Sequence, residues 1–489
     1  MLASIATLSL AFAPLAGLQD GWPQFRGPGG RCVADDTRIP SAFGPGEKVR
    51  WKTEIPGGHS SPCIADGRIF LTGFADGKNV ALGIDQASGK VLWTKTFPAI
   101  PATVTVHPDA VPALPTAVSD GELVVFYFGD WGLVAFDLDG EELWRRPLPN
   151  PRYAFGIGTS PILFEGMLIL QRDGGPEAAI LCFDVSDGTE LWRIDRFGYG
   201  ESHGTPFLWN NEDRAELVLG GTNKLCSYDP ATGELLWSVD GLTNFPCTTP
   251  VADADTLYFA AWSTPNATGR TFWEEAFNRS LEVTDAEVAD PALLFARLDA
   301  NKDGKIVESE VPECRAKDAF LFLDRNGTGA WELEEIVGAG QDSSVPGANL
   351  MVAVARGAAG DASKSHVRWT AKRGLPYVSS PLCYRGRIWL FKSGGNVTCL
   401  DAKTGKTIFD RDRLSDRSEY YLSPVGAAGR VIAGSAEGTL YVLDADAGEL
   451  VVQHTVQFDE ELFATPAVLD GTLYVRTKST LWAFGEAHE

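Results

Sequence analysis

The sequence predicts an all-β fold, an eight-bladed β-propeller closed by N- and C-terminal strands, with a small α-helical insertion. Three observations predict it. A Ser/Thr-Pro step followed by an apolar strand recurs at Ser61-Pro62, Ser160-Pro161, Thr205-Pro206, Thr249-Pro250, Ser380-Pro381, Ser423-Pro424 and Thr465-Pro466, with Leu114-Pro115 as a degenerate eighth copy. In phase with it runs a strand ending in Asp, a tight Gly turn and a strand ending in Trp. Successive prolines lie 53, 46, 45, 44, 131, 43 and 42 residues apart, so one interval holds a repeat plus about 87 inserted residues.

The second motif reads IDQASGKVLW (Ile84 to Trp93), FDLDGEELW (Phe136 to Trp144), FDVSDGTELW (Phe183 to Trp192) and YDPATGELLW (Tyr228 to Trp237). Weaker copies are LDAKTGKTIF (Leu400 to Phe409) and LDADAGELVV (Leu443 to Val452). Gly supplies the positive φ that the turn needs, and the repeated Trp is expected between neighbouring blades. Short alternating segments such as GRIFLTG, GTLYVRT and GRIWLFK fill the interval between motifs. Four strands at this period make a propeller blade. The final repeat (Thr465 to Phe484) lacks an outer strand, whereas KVRWKTEI (Lys48 to Ile55) lacks inner ones; joined, they complete an eighth blade and remove an open edge. The chain then divides into a signal peptide (1–18), an N-terminal extension (19–47), propeller (48–262), insert (263–348) and propeller (349–486).

Composition narrows the function. With 42 Lys+Arg against 65 Asp+Glu and a net charge of −23, the chain is ill suited to bind nucleic acid, which needs clustered cations. The 52 Gly, 29 Pro, 14 Trp and 26 Phe favour turns and aromatic β packing over helix. Residues Leu2 to Leu18 are apolar and uncharged, too short for a comfortable membrane span, and read as a cleaved signal with cleavage near Ala16 or Gly17. No Lys or Arg precedes them, which leaves an uncleaved anchor as the competing reading. Export to the periplasm or the extracellular space follows, with no integral membrane span after signal removal. The eight cysteines form no CxxC or adjacent pair, which excludes a zinc ribbon and favours buried free thiols.

The insert carries the clearest chemistry. From Glu282 to Gly340 there are 14 Asp+Glu against 6 Lys+Arg, and the periodicity turns helical in ALLFARL (Ala292 to Leu298) and AFLFL (Ala319 to Leu323). DANKDGKIVESE (Asp299 to Glu310) matches a twelve-residue EF-hand loop. Asp299, Asn301 and Asp303 supply oxygens at positions 1, 3 and 5, the Lys305 carbonyl serves position 7, and Glu310 at 12 can be bidentate. DRNGTGAWELEE (Asp324 to Glu335) repeats the pattern with Asp324, Asn326, Thr328, the Ala330 carbonyl, Glu332 and Glu335. Thr328 replaces a carboxylate, so this loop should bind Ca²⁺ more weakly. Gly304 and Gly329 make the sharp turns, and loop starts 25 residues apart resemble compact exported EF-hand pairs such as those of dockerin-like modules.

The turn-plus-Trp pattern resembles the pyrroloquinoline-quinone (PQQ)-type repeat of quinoprotein dehydrogenases, which recurs in non-catalytic relatives such as the outer-membrane assembly propeller. WPQFRGPGG (Trp22 to Gly30) is similar to the opening of exported PQQ-like bacterial proteins. The resemblance covers about residues 22–262 and 349–486. It is specific for fold more than for activity.

Residues just before each Ser/Thr-Pro step should rim one mouth of the central funnel: His59, Arg152, Tyr153, Glu201, His203, Asn244, Tyr377, Glu419, Tyr420 and Phe463. This polar, aromatic set suits a small polar ligand. The resemblance implies that a Glu and an Asn at the places of Glu201 and Asn244 hold calcium beside the quinone. It also implies a vicinal disulfide, for which no adjacent cysteines exist, and a catalytic Asp that RGLPYVSSP (Arg373 to Pro381) lacks. The sequence therefore reads as a calcium-binding, non-catalytic binding or assembly platform at the cell envelope, partnered by an envelope protein or a small polar ligand. The alternative is a PQQ- and calcium-dependent oxidoreductase acting on alcohols or sugars.

Overall fold

The computed structural model describes residues 21–486 apart from 35, 37, 100–111, 150–155, 175–176, 197–198, 212–213, 264–271, 278–279, 319, 325–326 and 342–346. The apolar N-terminal stretch, Arg152, Tyr153 and Asn326 therefore lie outside the described residues.

Eight sheets of antiparallel meander form the blades. Blade one shows the plan: Cys63–Ala65, Arg68–Ala75, Lys78–Asp85 and Val91–Pro98, from axis to rim. Middle strands are buried on both faces, because each blade is sandwiched between two others; Leu123–Phe128 of blade two is buried throughout. Outer strands alternate instead, as in Val91–Pro98. The eighth sheet takes its rim strand, Val49–Glu54, from the N-terminal side of the chain, where it pairs antiparallel with Thr480–Gly485.

The recurring Asp organises the turn before each rim strand. Asp85 accepts from the Ser88 amide at 2.8 Å and hydroxyl at 2.5 Å, which holds its carboxyl below the usual range. The Trp of one blade then docks on the turn of the next. Trp93 donates its indole N–H to Leu138 O (3.0 Å), Trp144 to Val185 O (2.8 Å) and Trp369 to Ala402 O (3.1 Å). Gly140 must be Gly twice over: its φ is 89°, and an added Cβ would lie 2.7 Å from the Trp93 ring. Blade four departs from this rule. Trp237 turns to the buried carboxylate of Glu216 in its own blade (2.6 Å), and the segment Gly360–Asp361 adds a fifth, parallel strand outside it.

The helical insert lies within blade five, between Thr256–Ala261 and Leu350–Ala355. Those strands pair directly, Ala261 opposite Leu350, so the chain leaves and re-enters at one point. Asn349 clasps Ser263 there, accepting from its amide (2.8 Å) and donating to its carbonyl (2.9 Å). The insert has its own core of Trp273, Phe277, Leu294, Phe320, Trp331, Ile336 and their neighbours.

The extension 19–47 does more than precede the propeller. Trp22 pairs with Ile64 of blade one, Pro23 O accepts from Ser119 N of blade two (2.9 Å), and Arg26 donates to Pro381 O at blade six (2.7 Å). Val33–Ala34 then runs parallel to Val425–Ala427 of blade seven. This segment ties four blades together near the axis.

Candidate functional site: an axial cup

The Ser/Thr-Pro steps meet on the propeller axis. The amide of Ser61 donates to the Thr116 hydroxyl (3.0 Å), Thr116 to Ser160 (3.0 Å), Ser160 to Thr205 (3.0 Å) and Thr205 to Thr249 (3.1 Å). Thr249 donates to Ser380 (3.0 Å), Ser380 to Ser423 (3.2 Å), Ser423 to Thr465 (2.9 Å), and Thr465 back to Ser61 (3.0 Å). Every blade thus gives one amide and takes one, and the ring closes. Proline after the hydroxyl residue leaves no second N–H to satisfy and biases that residue to extended backbone. Blade two corrects the sequence reading: its ring residue is Thr116, followed by Ala117, and the degenerate Leu114-Pro115 step stands two residues too early.

Two residues before each ring hydroxyl the chain presents a second ring: His59, Leu114, Gly158, His203, Cys247, Val378, Tyr421 and Phe463. All eight line one cavity of about 360 Å³ together with seven of the hydroxyl residues, all but Thr205, and Phe25 of the N-terminal segment lines it too. Residues two apart on an extended chain share a face, which is why both rings look inward. Neither ring contains Lys, Arg, Asp or Glu.

Burial, followed by the Arg476 and Lys478 charges, pushes the His59 imidazole down to about 4, so it is neutral at pH 7. His59 stacks on Phe463 with centroids 4.1 Å apart, and Phe463 stacks on Tyr421 at 5.4 Å. Arg476 is fully buried and spends its donors on Ser60 O (3.0 Å) and Pro56 O (3.2 Å) rather than on the cup. Burial pushes the Cys247 thiol and the Tyr377 phenol up to about 12, with Glu201 adding to both. Both groups stay protonated.

Of the sequence-predicted rim residues, His59, His203, Tyr377 and Phe463 line the cavity. Glu201 lies buried behind it, 3.5 Å from His203 Nε2. Asn244 accepts from the Ser263 hydroxyl (3.1 Å) at the base of the insert. Glu419 is exposed, and Tyr420 is turned into its blade to donate to Asp416 O (2.9 Å), leaving Tyr421 to face the cup. Phe245, Cys247 and Tyr421 were missed in the sequence. Strict counting two residues back from each hydroxyl finds the last two.

The insert loops form a second candidate centre. Asp299 accepts from the amides of Asp303 (3.1 Å) and Gly304 (3.0 Å); Asp324 does the same with Thr328 (3.0 Å) and Gly329 (2.9 Å). Both loops place positive φ at their fourth and sixth residues, Lys302 and Gly304 in one, Gly327 and Gly329 in the other. Ile306 and Val307 pair antiparallel with Trp331 and Ala330. Asn301 Oδ1 accepts from the Asp303 amide (2.7 Å) and Asp303 Oδ1 from Lys305 N (2.9 Å). Glu310 folds back onto the amides of Ala300 (3.1 Å) and Val307 (2.9 Å), and Glu335 onto that of Glu332 (2.8 Å). Lys305 Nζ stands 3.5 Å from Glu332. Among the described residues no three His, Cys, Asp or Glu side chains converge as a metal-holding group.

The family model described as outer membrane protein assembly factor BamB (PQQ_2) matches residues 42–159, 176–306 and 393–488. The chain belongs to this family. BamB of Burkholderia pseudomallei (strain K96243) is 26% identical over 221 residues, covering 41% of this chain and 50% of that protein. BamB of Yersinia pestis is 29% identical over 125 residues, 25% of this chain and 30% of that one. The chain thus spans half or less of the length of these curated relatives. Among solved structures, BamB from Moraxella catarrhalis aligns with a TM-score of 0.53 at 11% identity, covering 90% of this chain and 99% of its own. A europium-containing methanol dehydrogenase aligns at 0.58 and 10% identity, covering 96% and 98%. A quinohemoprotein alcohol dehydrogenase from Comamonas testosteroni aligns at 0.51 and 14%, covering 97% and 82%. At these identities the structures establish the fold alone. No helix among the described residues is long and apolar enough to cross a membrane.

Proposed function

We propose that this protein is an exported, non-catalytic platform of the bacterial cell envelope that holds another envelope protein during assembly. The family match carries this reading: the relatives at 26% and 29% identity are outer membrane protein assembly factors. The closed ring of hydroxyl–amide bonds supports it, since it makes a rigid scaffold. The alternative, a quinoprotein oxidoreductase, draws on the shared fold. PQQ is a planar tricarboxylate, and burying carboxylates without cationic partners is costly. Among the described residues the cup wall offers no Lys or Arg, and all eight cysteines are free, so the residues present do not fit that cofactor.

The insert is proposed to bind Ca²⁺ through the two loops, with Asp299, Asn301, Asp303, the Lys305 carbonyl and Glu310 holding one ion. Asp324, Asn326, Thr328, the Ala330 carbonyl, Glu332 and Glu335 would hold a second, weaker one. The shared backbone path of the loops and their antiparallel pairing support this; bound Ca²⁺ would neutralise carboxylates that now rest on amides.

In-cell crosslinking from photoreactive residues placed on the exposed blade surfaces tests the platform. Adducts with a component of outer-membrane protein assembly are expected. Dye-linked oxidation of alcohols or sugars by the purified protein with PQQ and calcium would overturn the reading.

A further inference from the structure

The axial cup has a chemistry that scaffolding does not use. Each ring hydroxyl accepts one peptide N–H, and among the described residues none donates its own proton to a protein acceptor. All eight belong to residues no more than 3% exposed, and seven of them, all but Thr205, line the cavity. A hydroxyl that accepts from an amide becomes a better donor, because neighbouring hydrogen bonds polarise one another. Seven hydroxyls of this circle therefore floor the cup, each able to give a proton and with a further lone pair to take one.

The wall above that floor is apolar and aromatic. Phe463, flanked by His59 and Tyr421, forms a stacked ladder of three rings along one side, and Phe245 and Tyr377 stand elsewhere on the wall. Neither ring contains Lys, Arg, Asp or Glu, and His59 is neutral at pH 7. The lining offers no Lys or Arg to pair with an anion and no carboxylate to pair with a cation, so a charged ligand would be desolvated here at a cost. A flat neutral ligand with only one or two acceptors would leave most ring hydroxyls unsatisfied.

We propose that the cup binds a neutral sugar in pyranose form, free or as the end of a glycan. Several hydroxyl oxygens of one pyranose face the hydroxyl circle, where each can accept or donate. Its C–H face lies on the aromatic ladder, whose electron-rich ring faces attract the positive hydrogen edge. The cavity of about 360 Å³ accommodates one such ring with room for a glycosidic substituent. The proposal stands whether or not an envelope protein docks on this chain.

The full-length protein is titrated by calorimetry with the methyl pyranosides of glucose, galactose, mannose and N-acetylglucosamine, and in parallel with glucuronate, PQQ and duroquinone. Trp262, which meets Tyr377 edge-on at 6.0 Å, provides a fluorescence reporter. At least one neutral pyranoside should bind with a Kd of about 1 mM or tighter. Phe463→Ala, which removes the ladder's middle ring, and Val378→Trp, which fills the cup, should each weaken it by about tenfold or more. An unchanged melting temperature in either variant keeps the comparison interpretable. The proposal fails if no neutral pyranoside binds up to about 50 mM. It fails equally if glucuronate, PQQ or duroquinone binds as tightly, or if neither variant weakens binding.

Discussion

In the propeller, the amide of Ser380 donates to Ser423 one blade away, and the indole of Trp144 to Val185 of the next blade. In the insert, the corresponding indole of Trp331 donates to Phe320, a member of its own small core, and stacks on that residue's ring at 4.6 Å. The propeller's bonds are owed to neighbours; the insert's are kept at home. A repeat whose ring bond and Trp anchor both lie in adjacent blades cannot be removed singly. A unit with its own core, clasped to its blade between Ser263 and Asn349, can. On the proposed reading the difference would also divide the functions, with the ring building an axial site and the insert responding to an ion.

Breaking an inter-blade anchor should have the largest effect. Trp144 is 8% exposed and its ring packs on Gly188 of the next turn. Trp144→Ala should cost about 3–5 kcal/mol in denaturant unfolding. An effect below about 1 kcal/mol would mean that neighbouring blades do not depend on these anchors.

His59 gives the next largest effect. Its pKa is lowered from 6.5 to about 4, so the unfolded chain takes up a proton that the folded cup refuses. Stability present above pH 6.5 should be lost as the pH falls toward 4, by at most about 3 kcal/mol. Unfolding measured across this range should be flatter for His59→Phe than for the parent.

A single ring bond ranks below both. Ser423→Ala leaves the buried Ser380 N–H without its acceptor and should cost about 1–3 kcal/mol, with no change in the stability of the insert. The smallest shift concerns the insert alone. In calorimetry of the whole chain, calcium at about ten times its Kd should stabilise an insert transition by about 1.4 kcal/mol and leave the propeller transition in place. Glu310→Gln should remove most of that response. One calcium-shifted transition for the entire chain would show that the two regions are not independent.

Much of this architecture was legible from the chain. The Ser/Thr-Pro steps, the Asp-Gly-Trp turns and the interruption in blade five were written as spacing, because each repeat must meet identical neighbours. What the steps do was hidden: the partner of each hydroxyl is an amide in a neighbouring blade, 42 to 131 residues away for seven of them and 404 for the bond from Thr465 to Ser61, a relation that closure alone creates. The same cause misplaced blade two's ring residue, where Thr116 without a following proline took the role assigned to Leu114. The path of Trp22 to Gly30 was illegible for a different reason: Phe25 reaches the axial cavity through contacts with several blades at once, which no local pattern encodes. Tyr420 and Tyr421 are adjacent aromatics, and the alternation of an extended chain decides between them only once the register is fixed.

The central claim is that this propeller binds through a cup without lysine, arginine or carboxylate lining and does not carry the quinone chemistry its fold also supports. The most direct test is equilibrium titration of the purified full-length protein with PQQ and calcium, followed by absorbance and by dye-linked oxidation. The account predicts no stoichiometric binding up to about 10 µM PQQ and no turnover. Stoichiometric uptake of PQQ accompanied by alcohol or sugar oxidation would contradict it.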